Sequence, residues 1–205
     1  TEVHPMEFGF NDLTSDVAAL WEAEAISESH LLGISFGGVI SQGVAIDYAA
    51  KVKSLTLVST TPKSAHLTSG TKLHELTPEN VRKALENYVS RGFGERNPLL
   101  LNALLDQTAA GFKSEAKKAA AKAQRSAIGD FDFSTRLSEL EFPVALIHGT
   151  EDQIVAPKAI EDFEQLLPQA KVFWLSGVGH LLLAECPKKF YEIVTDFLNT
   201  TAAQN

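Results

Sequence analysis

The sequence predicts an α/β fold built on a parallel sheet. Strand, helix and strand patterns follow one another in that order twice, and the strand runs are apolar at consecutive positions, as strands covered by helices on both faces must be. Between the two units lies a stretch, roughly residues 61–140, that carries helical patterns and no strand-like run. The expectation is one domain spanning 1–205, with its core in residues 1–60 and 141–205 and an all-helical lid over about 61–140, inserted between two strands.

After an extended, irregular start, Asn11 and Asp12 precede Leu13, Val17, Leu20 and Trp21, the three-and-four spacing of an amphipathic helix. Leu31-Leu32-Gly33-Ile34 reads as a strand, the stretch with Ile40, Val44 and Tyr48 as a helix, and Leu55-Thr56-Leu57-Val58 as the next strand. The second unit repeats this order. Val144 to Ile147 is a strand, a helix runs through Ile160, Phe163, Leu166 and Leu167, and Val172 to Leu175 is a strand. Pro187 suits the first turn of a last helix carrying Phe190, Ile193, Val194 and Phe197. In the intervening stretch, Thr77-Pro78, Asn97-Pro98 and Ser114 each start a helix, the third alanine- and lysine-rich and read as a solvated helix. Helices placed between parallel strands predict a lid over the strand ends, where open α/β sheets bind ligands.

Composition limits what the chain binds. Lys and Arg number 18 against 26 Asp and Glu, a net charge of -8, which disfavours a nucleic-acid or anionic-membrane surface and suits a small-molecule substrate. One cysteine, Cys186, rules out an internal disulfide and a cysteine-based zinc site, so the default setting is cytoplasmic. No apolar run reaches the roughly 18 residues a membrane span needs. His66 and His74 lack metal-ligand spacing and His148 suits a packed histidine, so no metal and no cofactor is expected. Cys186 precedes a helix start, where a thiol pKa can fall, although a small buried hydrophobe is the commoner role. Glu185 is expected to favour the positive end of the same helix.

The sharpest chemical signal is Gly33-Ile34-Ser35-Phe36-Gly37, with Gly38 behind it. It matches G-x-S-x-G, a turn between strand and helix that presents a serine oxygen in a strained, exposed position, the glycines leaving room on either side. A serine hydroxyl is a poor nucleophile at neutral pH and needs a base within reach, held in the right tautomer by a third group. His180, in the loop Ser176-Gly177-Val178-Gly179-His180, leaves the last strand at its carboxyl end. Asp152 and its neighbour Glu151 follow the strand before it, after Gly149, which permits a sharp exit.

The order Ser35, acid, His180 is that of the α/β-hydrolases. The chain resembles that superfamily over nearly its whole length. Residues 30–38 look like the nucleophile turn, Pro143 to Pro157 like the acid strand and loop, and Gly177 to Pro187 like the histidine loop. Phe8-Gly9-Phe10 ahead of the first helix is similar to bacterial small-molecule esterases of the aclacinomycin methylesterase type. The resemblance places the acid at Asp152 and one oxyanion donor at the N–H of Phe36. It implies a serine hydrolase that cleaves a small carboxylic ester or lactone through an acyl-enzyme. Tyr88, Leu100, Leu104 and Phe112 of the lid are expected to shape the pocket. The same fold hosts carbon–carbon bond hydrolases and lyases, which stay open as an alternative.

Two departures from the family follow. Ile34 stands where many members have histidine, a change outside the proton relay. No His-Gly type turn precedes the first helix, so the second oxyanion donor must come from elsewhere, and the family's N-terminal strands are missing. The chain is therefore expected to be a fragment of a longer product or to associate with itself through the exposed edge of the Leu31-Leu32 strand. The third reading, an inactive fragment or ligand-binding protein, rests on the same absence.

Overall fold

The computed structural model describes residues 8–67 and 76–203. The extended start and His74 lie outside them. Helix α1 (Phe10–Ala23) takes Asn11 and Asp12 into its first turn rather than starting after them, with Gly9 donating its N–H to Asp12 Oδ2 at 2.7 Å. Strand β1 (Ser29–Ile34), helix α2 (Phe36–Asp47) and strand β2 (Val52–Val58) form the first crossover unit. Strand β3 (Val144–Gly149), helix α8 (Lys158–Leu166) and strand β4 (Lys171–Leu175) form the second. The four strands are parallel, in the order β1-β2-β3-β4.

Period-two alternation divides the core. Leu55, Leu57, Val144 and Leu146 face one side, where they pack with Ala45 of α2 and with Ile160 and Phe163 of α8. Val58 and Ile147 face the other, against Leu182, Phe190 and Ile193. Those three belong to helix α9 (Leu182–Glu185) and helix α10 (Pro187–Ala202). The expectation of strands covered on both faces holds for β2 and β3. At the two outer strands the cover is incomplete: each packs side chains into both clusters, but Leu32 of β1 and Trp174 of β4 are both 42% exposed.

Between β2 and β3 the described residues are helical: α3 (Pro78–Leu85), α4 (Arg91–Arg96), α5 (Pro98–Ala110), α6 (Glu115–Ile128) and the short α7 (Ser134–Leu137). Local chemistry fixes their starts. Thr77 and Ser114 accept N–H bonds from Asn80 and Lys117, and proline opens α3 and α5, where its missing donor costs nothing. Helix α4, which the sequence patterns do not single out, is capped by Ser90, whose Oγ accepts from Phe93 N–H.

Phe163 is fully buried at the centre of the larger cluster. Its replacement, Phe163→Ala, is expected to cost about 3–5 kcal/mol of folding stability, read as a fall in the urea midpoint at constant slope.

Candidate active site

Parallel strands put every carboxyl end on one edge of the sheet, and three of the loops leaving that edge meet. The backbone ladder continues into them: Ser35 N–H donates to Val58 O at 2.8 Å, Ser59 N–H to Ile147 O at 3.0 Å and Thr150 N–H to Leu175 O at 3.0 Å. Beyond Thr150, Glu151 N–H bonds Val178 O at 2.9 Å, tying the loop after β3 to the loop after β4. Gly149 permits that contact. A Cβ there would lie 2.3 Å from Val178 O and 2.4 Å from Gly179 O, so its role is close approach of two backbones as well as a sharp exit.

Ser35 sits between β1 and α2 at φ 52° and ψ -117°, a left-handed region that non-glycine residues seldom occupy. The conformation is over-determined by its neighbours. Its N–H bonds β2, its carbonyl accepts from Thr60 Oγ1 at 2.8 Å and from Gly38 N–H at 2.9 Å, and Gln42, buried, bridges Gly38 O and Thr61 O. At the start of α2, the N–H groups of Phe36 and Gly37 have no carbonyl of their own helix to bond. Steric need for glycine differs along the motif. A Cβ on Gly33 would meet Gly37 O and Ser41 Oγ at 2.5 Å, and one on Gly38 would meet Thr60 at 2.6 Å, whereas one on Gly37 meets nothing within 4 Å. Glycine is therefore required on both sides of the serine, but at positions 33 and 38 rather than at Gly37 of the motif.

The structure brings Ser35, His180 and Asp152 into one chain of contacts. His180 Nε2 lies 2.8 Å from Ser35 Oγ, and Nδ1 lies 2.8 Å from Asp152 Oδ2. Asp152 Oδ1 accepts from the N–H groups of Ile154 at 2.8 Å and Val155 at 3.0 Å. Burial alone would raise the Asp152 pKa, but the bond and charge of His180 and the Val155 N–H outweigh it and hold the carboxyl below its ordinary range. With Asp152 ionised, Nδ1 carries the imidazole proton and Nε2 is left to accept from the serine. Glu151, the alternative acid, is exposed.

His148 is fully buried, edge-on to Trp174, with Nε2 3.7 Å from Asp152 Oδ2. Burial lowers its pKa despite that carboxylate, and its ring packs between β3 and β4. Among the described residues no group of three or more His, Cys, Asp or Glu is arranged to hold a metal ion, and no helix is long and apolar enough to cross a membrane. The Cys186 thiol pKa is raised, by burial and then by Glu185, rather than lowered. Glu185 is engaged by Ser90 and Gly179 instead of a helix start alone.

A cavity of about 700 Å³ opens over Ser35 and Phe36. Its far wall is α6, where Ala121, Gln124, Arg125 and Ile128 recur at three and four positions and form one face. Tyr88 lines the same cavity and meets the His180 ring edge-on at 5.2 Å between centroids; burial raises its phenol pKa. Leu104 lines a separate apolar cavity of about 160 Å³ beside Ile34, Val58 and His180. Leu100 and Phe112 do not line the cavity. The first turn of α5 projects into solvent, leaving Leu99 and Leu100 exposed, and Phe112 turns beneath the Lys117 ammonium, 5.3 Å from its ring centre. The expectation favoured large apolar side chains. The α6 face mixes a small, two polar and one aliphatic side chain and so shows no apolar run; its signal in the sequence is the spacing 121, 124, 125, 128.

The profile of the alpha/beta hydrolase fold family matches residues 4–187. The chain belongs to that family. Among curated proteins, it is 24% identical over 201 residues to 2-hydroxy-6-oxo-2,4-heptadienoate hydrolase of Pseudomonas putida, covering 95% of this chain and 72% of that protein. It is 26% identical over 171 residues to Lipase 3 of a Moraxella species, covering 79% of this chain but 53% of the lipase. Among solved structures, a meta-cleavage product hydrolase from Pseudomonas fluorescens superposes with a TM-score of 0.78 at 18% identity, covering 98% of this chain and 75% of that one. An enol-lactonase from Burkholderia xenovorans gives 0.79 at 21%, covering 97% and 76%. These structures share the fold with this family member. These relatives and structures are hydrolases, a lipase and a lactonase among them.

Two measurements check the site's packing. Gly33→Ala is expected to destabilise by about 1–3 kcal/mol through overpacking. Gly37→Ala, in open space on a helix, is expected to be neutral or mildly stabilising. For His148, the lowered pKa means the unfolded chain binds its proton more readily than the folded one. Its contribution is fully present above the ordinary value of 6.5 and is lost as pH falls from there towards the depressed folded value. Urea unfolding at pH 7.5 and 5.5, taken as about one unit either side of that ordinary value, should show a smaller acid-side loss in His148→Leu than in the parent.

Proposed function

We propose that the chain is a serine hydrolase that cleaves a small carboxylic ester or lactone through an acyl-enzyme. The observation that carries this is the unbroken contact from Asp152 through His180 to Ser35, two hydrogen bonds of 2.8 Å, opening on a 700 Å³ cavity. His180 Nε2 takes the proton from Ser35 Oγ as the oxygen attacks the acyl carbon, and the carbonyl oxygen gains the negative charge. The Phe36 N–H meets that charge at the start of α2, where the helix dipole adds to it; one such donor is worth about 10² to 10³ in turnover. The imidazolium then protonates the departing alkoxide, or the ring oxygen of a lactone. Water, deprotonated by the same nitrogen, attacks the acyl-enzyme and returns Ser35 with a free acid. Asp152 keeps its proton off and stabilises the imidazolium throughout. The helical insertion acts as the lid, with the α6 face as the roof over the acyl group.

Hydrolysis of a carbon–carbon bond is the second reading. It is favoured by the sequence likeness to 2-hydroxy-6-oxo-2,4-heptadienoate hydrolase and by the polar rim that Gln124, Arg125 and Asp130 give the cavity.

A fluorophosphonate probe followed by intact-mass analysis is expected to add one label, abolished in Ser35→Ala. With p-nitrophenyl esters, Asp152→Asn is expected to lower kcat by about 10⁴-fold by freeing the wrong imidazole tautomer. A vinylogous diketone assayed beside the esters distinguishes the readings. Turnover of the diketone alone selects carbon–carbon cleavage, and no labelling of folded protein removes the serine mechanism.

A further inference from the structure

His180 is flanked by two hydrogen bonds that take no part in the proton relay. Gly179 N–H donates to Glu185 Oε1 at 3.0 Å, and Leu181 N–H donates to Tyr88 O at 2.9 Å. Glu185 is shared with the insertion. Its Oε1 also accepts from Ser90 N–H at 3.0 Å, and its Oε2 accepts from the Ser90 hydroxyl. Ser90 is fully buried. The backbones touch here, since a Cβ on Gly179 would lie 2.5 Å from Ser90 N and 2.7 Å from the Val89 carbonyl carbon. With the Tyr88 ring against the imidazole, residues 88–90 hold the ring of His180 and, directly or through Glu185, the peptide groups on either side of it.

Hydrogen bonds to a charged acceptor are about twice as strong as neutral ones, and the Glu185 carboxylate accepts three. Ser90, Gly179 and Glu185 all lie beyond the strand ends, outside the sheet and its two apolar clusters. Their common product is the position of one loop. We infer that Glu185 and Ser90 form a clasp that positions His180, so that the base is aligned with Ser35 only while the insertion is seated. Glu185 is a positioning residue, and the inference rests on the reading of Ser35 and His180 as nucleophile and base. Seating the insertion and aligning the base are then one event, because residues 88–90 serve both.

The test uses the full chain with Ser90→Ala, Glu185→Ala and Glu185→Gln. Fluorophosphonate labelling rates and kcat and KM for p-nitrophenyl acetate are measured beside the thermal midpoint of each. Ser90→Ala and Glu185→Ala are expected to lower labelling and kcat by about 10- to 100-fold, the range that misplacing a reacting group by about 1 Å costs, with KM unchanged. Glu185→Gln keeps an amide oxygen able to accept from both N–H groups and is expected to recover most of the rate. Undiminished rates in folded Ser90→Ala and Glu185→Ala, a loss confined to KM, or a Gln variant as slow as the Ala variant overturns the positioning role. If Glu185→Ala does not fold, Ser90→Ala decides alone. A parent chain that is not labelled at Ser35 refutes the nucleophile, and the clasp's role with it. That outcome is distinct from a labelled parent whose variants are unimpaired.

Discussion

A carboxylate taken out of water must be given partners, and the partners of Asp152 organise the site. Its two oxygens collect the N–H groups of Ile154 and Val155 on one side and the imidazole of His180 on the other. The first pair bends the chain after β3 into a tight loop. The second fixes which imidazole nitrogen carries the proton and therefore which one faces Ser35. An isolated buried charge would cost several kcal/mol, so the loop is stable only in the arrangement that satisfies it. That arrangement also presents the base. Stability and chemical competence at this edge of the sheet have one source.

The two crossover units, the helical stretch between them and the three loops at the carboxyl edge were legible because each depends on local pattern. Apolar runs of strand length, proline at helix starts and a glycine-flanked serine between strand and helix are short-range signals. Parallel pairing does the rest, carrying Ser35, Asp152 and His180 to one edge although 117 and 28 positions separate them in turn. The wall of the cavity was not legible. Leu100 and Phe112 have the size expected of a pocket lining, but which face of a helix meets a cavity depends on how the insertion docks. On α6 that face is Ala121, Gln124, Arg125 and Ile128. Glu185 was legible as an acid near a helix and not as a shared acceptor, because Ser90 lies 95 positions away.

The insertion is joined to the core at more than the clasp. Beside it, Asp162 of α8 gathers Lys63, His66 and Lys158, and the Lys63 and His66 bonds hold its carboxyl far below the ordinary range. Two short bridges, Lys63 to Asp132 and Leu67 to Val155, close the path on either side. The segment after β2 therefore reaches both the end of the helical stretch and the loop that carries Asp152. The cavity wall and the acid are parts of one hydrogen-bonded frame.

The spacing of the enforced glycines has a use outside this molecule. At Gly33 the space a side chain would need is occupied by the backbone of Gly37 and Gly38 and by Ser41 Oγ, and at Gly38 by the Thr60 side chain, while at Gly37 it is empty. A sequence pattern that insists on glycine two residues after the serine therefore filters on a position this geometry leaves open. One that asks for glycine two residues before it and three after filters on what the turn requires. Applied to unassigned chains, the second pattern would select for the packing of the turn against its own following helix and against Thr60 in the loop after β2, and would keep candidates that the first discards for a side chain in open space.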